Sequence, residues 1–168
     1  GLRVRWRVLG IFMLLSAKRS RRVIFLSRYF LDLFVDRFGF DAHRGIVIYR
    51  TGTGPRTGAT PDARRHEVLS VAHLYPYKNL LELIDGFISA RRARCNDWTL
   101  ILAGGEYVGD YGDRIRARLA EVEADETEVR LLGDVAASEV SALLARCEIF
   151  AFSSVCENCP TALVEALR

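Results

Sequence analysis

From residue 23 to the end, short apolar runs alternate with amphipathic stretches along the chain. Most runs are rich in β-branched residues and are bounded by glycine or polar residues, which predicts six buried strands. The stretches between them carry apolar residues at helical spacing and predict five helices. This alternation favours an α/β fold with a doubly wound parallel sheet, covered by helices on both faces. The predicted strands are residues 23–27, 46–49, 68–72, 99–103, 129–132 and 149–152, and the predicted helices are residues 29–38, 80–92, 114–123, 140–145 and 161–167.

The first 22 residues differ from the rest, because they carry seven basic side chains and no acidic one. Residues 2–18 predict a basic amphipathic helix, and the basic cluster at residues 18–22 stands where a signal peptide would carry small residues. We therefore assign residues 1–22 as a remnant helix or linker and residues 23–168 as one domain. The favoured interpretation of this helix is packing on a missing neighbouring domain, and peripheral contact with a membrane surface is the alternative. Within the domain, residues 50–66 contain glycines and prolines that predict a long loop.

Composition and charge narrow the function classes. Hydrophobic residues make up 50% of the chain and charged residues 27%, which is typical of a globular core. The formal net charge of +3 comes from the N-terminal segment and leaves −4 for the rest, so the folded body does not suit nucleic acid. The four cysteines do not form a disulfide pattern, which favours a cytoplasmic location, with the inner membrane face as its alternative. The three histidines lie on separate connections without ligand spacing, so we expect no metal site.

Candidate binding residues follow the carboxyl ends of the predicted strands, where doubly wound folds place their ligands. Lys78 stands at a strand-to-helix junction, where its charge could neutralise a phosphate. Glu157 and Glu165 flank the predicted start of the last helix, and carboxylates suit the paired hydroxyls of ribose or hexose. The free backbone N–H groups of the helix that Pro160 or Thr161 opens would add an anion site. The residues alone leave a second interpretation open, a capped helix with two solvated glutamates.

Four motifs together resemble a known family. They are residues 68–87, the Gly104-Gly105 turn, residues 132–135 and the E-x7-E block from Glu157 to Glu165. They resemble the nucleotide-binding half of retaining family-4 glycosyltransferases with the GT-B fold, and residues 23–38 resemble the domain junction of that family. The resemblance implies a Rossmann-like C-terminal half of a GT-B enzyme, incomplete at its C-terminus and lacking the N-terminal acceptor domain. It implies transfer of a hexose from a nucleoside diphosphate sugar to a glycan or lipid-linked acceptor, without cofactor or metal, and no activity of the chain by itself.

The resemblance also implies roles for individual residues. Glu157 would contact donor-sugar hydroxyls, and Lys78 would hold the diphosphate and stabilise the leaving group, so these two are the expected catalytic residues. Glu165 would bind the ribose hydroxyls. Where the family commonly has an arginine this chain has His73, which implies weaker diphosphate binding. The remaining donor-binding residues would act through their backbone at the base, sugar or phosphates: Gly104, Gly105, Val135, Asn158, Cys159, Pro160 and Thr161.

Two other function classes stay open at this point. The missing acceptor domain and His73 favour, slightly, a non-catalytic nucleotide-binding subunit that acts through a partner chain. Cys156 and Cys159 form a C-x-x-C motif ahead of a predicted helix, which is also found in thioredoxin-like oxidoreductases. This motif lies at the end of the α/β pattern and not near its beginning, so structural cysteines beside Glu157 are the preferred explanation.

Overall fold

The computed structural model describes residues 2–50, 65–94, 97–106 and 109–167, with side chains from residue 8 onward. The chain divides into two compact units, residues 1–51 and 52–168. Most of the predicted loop at residues 50–66 lies outside the described residues. The helices are α1 (Leu2–Arg19), α2 (Arg28–Phe38), α3 (Leu80–Arg94), α4 (Tyr111–Glu121), α5 (Ala137–Arg146) and α6 (Thr161–Ala166), and the strands are β1 (Val23–Phe25), β2 (Gly45–Val47), β3 (Arg65–Val71), β4 (Thr99–Ala103), β5 (Val129–Gly133) and β6 (Cys147–Phe150).

The first unit contains α1, α2 and a parallel pair formed by β1 and β2. The Ser27 hydroxyl caps α2 by accepting a hydrogen bond from the amide of Phe30, and Gly39 ends the helix in the left-handed conformation at φ 60°. The ring of Phe25 packs edge-to-face against the rings of Phe34 and Phe40 at centroid distances of 5.3 and 5.5 Å. Aromatic packing therefore supplies much of the small core of this unit.

Helix α1 exposes apolar side chains on most of its sides. Successive helical residues differ by about 100° around the axis, so apolar residues at consecutive positions cannot share one face. The expectation of an amphipathic helix is wrong in this respect, although the helix itself is confirmed. No helix among the described residues has the length and apolar character needed to cross a membrane. The exposed apolar residues of α1 are Val8, Leu9, Ile11, Phe12, Met13 and Leu15.

The second unit is built on a four-stranded parallel sheet with the order β5-β4-β3-β6. Its central strand β4 is buried on both faces: Leu100 and Leu102 pack with α3 and α4, whereas Ile101 and Ala103 pack with α5. Alternate residues of a strand point to opposite faces, so one short apolar run serves both cores. The α/β class and the double winding are thus confirmed. The six strands do not form a single sheet, however, because β1 and β2 pair only with each other among the described strands.

The compact units divide at residue 51, whereas the sequence pattern predicts a boundary at residue 22. Parallel pairing of β1 with β2, and the packing of Phe25 and Leu31 with Ala17 of α1, tie the first strand and helix to the N-terminal unit. The assignment of domains by function stays a prediction.

Candidate donor-binding cavity

The carboxyl ends of β3, β4 and β6 lie side by side in the sheet, and a cavity of about 380 Å³ opens next to them. Because the strands are parallel, the segments that follow them meet at this edge. The segment after β3 carries a lysine and a histidine, and the segment after β6 carries two glutamates and the start of α6. The cavity is lined by Val71, Ala72, His73, Lys78, Ala103, Gly104, Phe152, Glu157, Cys159, Pro160, Thr161, Ala162 and Glu165.

A single 3-10 turn, Pro76–Lys78, presents Lys78 to the cavity. Asn79 follows in the left-handed conformation at φ 57° and leads the chain into α3. The turn is attached to the segment after β6, since the Ser153 hydroxyl donates to the Lys78 carbonyl at 2.7 Å and the Val155 amide donates to the Tyr77 carbonyl at 2.9 Å. The segment after β6 therefore fixes the backbone of the turn that carries Lys78, although the two are far apart in sequence.

The Lys78 ammonium donates to Oε1 of Glu157, and this ion pair is the central electrostatic feature of the cavity. The two side chains are 16% and 19% exposed, so solvent screens the pair less than a surface ion pair. The Ser154 hydroxyl donates to the same carboxylate oxygen at 2.9 Å. In this arrangement the lysine charge is matched within the protein, and an incoming anion would compete with Glu157 for it.

Gly104, directly after β4, allows the backbone there to lie close to the end of β3. Its φ of 147° is a conformation that favours glycine, and a Cβ there would lie 2.1 Å from the carbonyl oxygen of Ala72. The Gly104 amide donates to the Gly133 carbonyl at 2.8 Å, which links the end of β4 to the end of β5. Glycine at this position is therefore needed for close backbone contact within the protein as well as for an open cavity.

His73 lies at the cavity edge beside an acidic residue. Its Nδ1 atom is 4.0 Å from Oδ1 of Asp134, and both side chains are about half exposed or more. The neighbouring Gly105 also faces Asp134, since a Cβ on Gly105 would lie 2.3 Å from that carboxylate. The Gly105 carbonyl accepts from the amide of Leu74 at 3.0 Å. This edge of the cavity thus combines an imidazole and a carboxylate next to a buried glycine.

Helix α3 is capped from inside the core, so its first amides do not face the cavity unpartnered. The hydroxyl of the buried Tyr111 accepts from the amides of Leu80 and Leu81 at 3.0 and 3.3 Å. These are two of the four amides that a helix start leaves without intrahelical partners. Because these amides are already paired, the anion ligands on this side of the cavity would be side chains, above all Lys78.

A second cavity of about 210 Å³ shares Gly104 with the first. One wall carries Glu106 and Arg116, whose side chains form an ion pair at 3.1 Å. The hydrogen bonds that the Arg116 guanidinium donates, first to Asp113 and then to Glu106, raise its pKa above its usual range. The other walls are apolar, with Leu74, Leu102 and Leu131. The two adjoining cavities together offer a charged compartment beside a partly apolar one.

The structure brings most of the predicted site residues together. Three others do not line the cavity: Gly105 and Asn158 lie in the segments next to it, and the Val135 side chain packs against the core on the α5 face. The sequence pattern did not indicate Tyr77, Ser153 and Ser154, which contact Lys78 or Glu157 through side chain or backbone. Both serines shortly precede Glu157 along the chain, but two adjacent serines are not a pattern that indicates a binding site. The predicted residues that line the cavity are His73, Lys78, Gly104, Glu157, Cys159, Pro160, Thr161 and Glu165.

Chemically, the cavity combines one ammonium, one imidazole and two carboxylates within a partly apolar enclosure. An ammonium suits a phosphate, and carboxylates accept hydrogen bonds from paired hydroxyls. The arrangement is therefore suited to a ligand that carries negative charge at one place and several hydroxyls at others.

Comparison with known proteins agrees with this chemistry. Residues 58–168 match the family model described as glycosyl transferases group 1. The match covers both cavities and every predicted site residue. Among curated proteins, no sequence matches the chain.

Several solved structures share the fold. TarM of S. aureus is 16% identical over 94% of this chain and 30% of its own, with a TM-score of 0.76. Anabaena HepE is 22% identical over 86% of this chain and 40% of its own, with a TM-score of 0.66. The pneumococcal O-GlcNAc transferase GtfA is 17% identical over 93% of this chain and 30% of its own, with a TM-score of 0.70. The chain thus spans well under half the length of the solved structures that it resembles.

Proposed function

The chain belongs to the glycosyl transferases group 1 family, and from this premise we propose that it is the donor-binding, C-terminal half of a retaining glycosyltransferase. Its donor is a nucleoside diphosphate hexose, and its acceptor is a glycan or a lipid-linked saccharide. One observation carries the proposal: Lys78, Glu157 and Glu165 line a single cavity at the carboxyl ends of parallel strands.

Each of the three side chains binds a different part of the donor. Lys78 faces the diphosphate and stabilises the charge that develops on it as the bond to the sugar breaks. Glu157 accepts hydrogen bonds from sugar hydroxyls, and Glu165 accepts them from the ribose. The backbone of residues 158–161 and the imidazole of His73 complete the contacts. This division of roles, and the retention of anomeric configuration, rest on the family resemblance.

The solved relatives support a uridine nucleotide as the first donor to test. TarM and HepE were each crystallised with UDP, HepE together with glucose, and GtfA with UDP and GlcNAc. These ligands belong to those proteins, and they make UDP the natural probe for this chain. The acceptor side of the cleft would come from an N-terminal domain, so we expect the 168-residue chain to bind donor without transferring sugar.

A partner chain is a second way to complete the cleft. One relative of similar fold was solved as a GtfA/B complex, and it is 19% identical over 93% of this chain. In that arrangement this chain would be a nucleotide-binding subunit whose activity depends on the partner.

We expect the chain to bind UDP without added metal. Lys78 supplies the positive charge that a divalent cation would otherwise provide, and His73 lines the same cavity. Isothermal titration calorimetry with UDP, GDP and ADP, each with and without EDTA, measures this directly. Loss of binding in EDTA would contradict the metal-free mechanism, and absence of binding to all three nucleotides would contradict the donor site.

Substitution of Glu165 separates the proposed function from a purely structural role. Glu165→Gln removes a charge-assisted pair of hydrogen bonds to ribose, about 1.5–3 kcal/mol, so UDP affinity should fall roughly 10- to 150-fold. Glu139→Gln makes the same change in charge on the exposed first turn of α5 and should leave affinity unchanged. If Glu165 were only a solvated helix residue, its substitution would alter the melting temperature slightly and UDP affinity not at all.

A further inference from the structure

The side chain of Tyr77 contacts the expected catalytic lysine. The Lys78 ammonium lies over the Tyr77 ring, 5.1 Å from its centroid, while it also donates to Glu157. The Tyr75 ring stacks on the Tyr77 ring with centroids 5.7 Å apart and planes inclined by 16°. The Tyr77 carbonyl accepts a hydrogen bond from the Val155 amide at 2.9 Å. The ring that faces the ammonium is thus held by a second ring and by its own backbone.

This contact differs in kind from the ion pair. A lysine side chain is a flexible four-carbon stem that carries a compact charge, so it needs external contacts to keep one position. Glu157 provides such a contact only while no ligand claims its carboxylate. An aromatic face attracts a cation through its quadrupole and does not compete for the sugar hydroxyls that Glu157 would bind.

We propose that Tyr77 is a positioning residue of the donor site, whose ring keeps the Lys78 ammonium at the cavity when Glu157 turns from the lysine to the donor sugar. This inference rests on the proposed function for its ligand, a nucleoside diphosphate sugar. The ammonium exchanges the Glu157 carboxylate for the diphosphate while it stays in contact with the ring, so it does not move into solvent. Tyr77 itself touches neither the reacting atoms nor, in this proposal, the donor.

The sequence allows the contact to be observed directly, because Lys18 and Lys78 are its two lysines. In protein labelled with ¹³C and ¹⁵N at lysine, two sets of side-chain signals appear, and Lys18, in the other compact unit, is the internal reference. Protons above an aromatic face shift upfield, so the Lys78 Hε signals should lie upfield of those of Lys18. Inorganic pyrophosphate, which engages the ammonium without any ring of its own, should change the Lys78 shifts and leave them upfield.

Two variants connect this geometry to binding. Tyr77→Leu removes the ring at a position that is 42% exposed, and Tyr77→Phe keeps the ring and removes only the hydroxyl. UDP affinity measured by calorimetry should fall roughly 2- to 30-fold in Tyr77→Leu and stay near that of the unmodified chain in Tyr77→Phe. The Lys78 Hε signals should move to those of Lys18 in the leucine variant alone.

The outcomes are distinct. If the unmodified chain binds neither UDP nor pyrophosphate, the proposed donor site is wrong and this role falls with it. If UDP binds but Tyr77→Leu binds it equally well, or Tyr77→Phe is equally weakened, the site stands and the positioning role of the ring is overturned. Coincident Lys78 and Lys18 signals in the unmodified chain would also overturn it, and this measurement needs no variant to fold.

Discussion

Replacing Lys78 by methionine should weaken UDP binding roughly 100- to 1000-fold. The substitution removes a charge-assisted contact with the diphosphate, about 1.5–3 kcal/mol, and it leaves the Glu157 carboxylate in the cavity without its cation. Repulsion between that carboxylate and the incoming phosphates adds about 1 kcal/mol. Calorimetry with UDP measures the loss, and Lys18→Met removes a lysine of the other compact unit as a matched control.

Substitution of Glu157 should change UDP affinity in the opposite direction to substitution of Lys78. Glu157→Gln releases the Lys78 ammonium from its ion pair, so affinity for UDP without sugar should rise. The expected rise is about 2- to 10-fold, which corresponds to the free energy of a partly screened ion pair. The double variant, Lys78→Met with Glu157→Gln, should recover part of the affinity that Lys78→Met loses. If Glu157→Gln leaves UDP affinity unchanged or lowers it, the ion pair does not compete with the nucleotide, and the proposed competition in the cavity is wrong.

Substitution of Gly104 by alanine should cost about 2–5 kcal/mol of folding free energy. The new Cβ would meet the Ala72 carbonyl oxygen at 2.1 Å, and a backbone φ of 147° is strained for a residue with a side chain. Both contact atoms belong to the ends of adjacent strands, so neither can move away without disturbing the sheet. Urea unfolding followed by circular dichroism measures the change.

A control for this effect lies in the same unit. Gly86 is within α3 and a Cβ there would meet nothing within 4 Å, so Gly86→Ala should stabilise the protein by about 0.5–1 kcal/mol. An unchanged urea midpoint for Gly104→Ala would mean that the strand ends are less closely packed than described. Because Gly104 also lines both cavities, UDP affinity should fall in the same variant under conditions where it remains folded.

The elements that could be predicted from the sequence are those in which local pattern and burial agree. The prediction for β4 matches its observed bounds, Thr99–Ala103, because that strand is apolar after Thr99 and buried on both faces. Helix ends were less accurate. The prediction began the fourth helix at Arg114, whereas it begins at Tyr111, since a buried aromatic and a glycine in its first turn carry no helical signal.

The partition into sheets could not be predicted in the same way. The patterns of β1 and β2 resemble those of the other strands, but these two pair with each other and belong to the N-terminal unit. Strand pairing depends on which apolar faces find each other in space, and here Phe25 packs within an aromatic cluster that includes Phe34 of α2. A pattern along the chain contains no such information.

For the site, the sequence by itself determined which chemistry is available and at which edge of the sheet it would lie. Parallel strands bring their carboxyl ends together, so the segments around Lys78 and Glu157 are expected to lie close to each other. Only the tertiary structure decided that these two side chains bind each other, that Ser153 and Val155 hold the lysine turn, and that a tyrosine ring faces the ammonium. The physical reason is range: hydrophobic periodicity is a local property of the chain, whereas an ion pair between residues 79 positions apart exists only after the strands that carry them have paired.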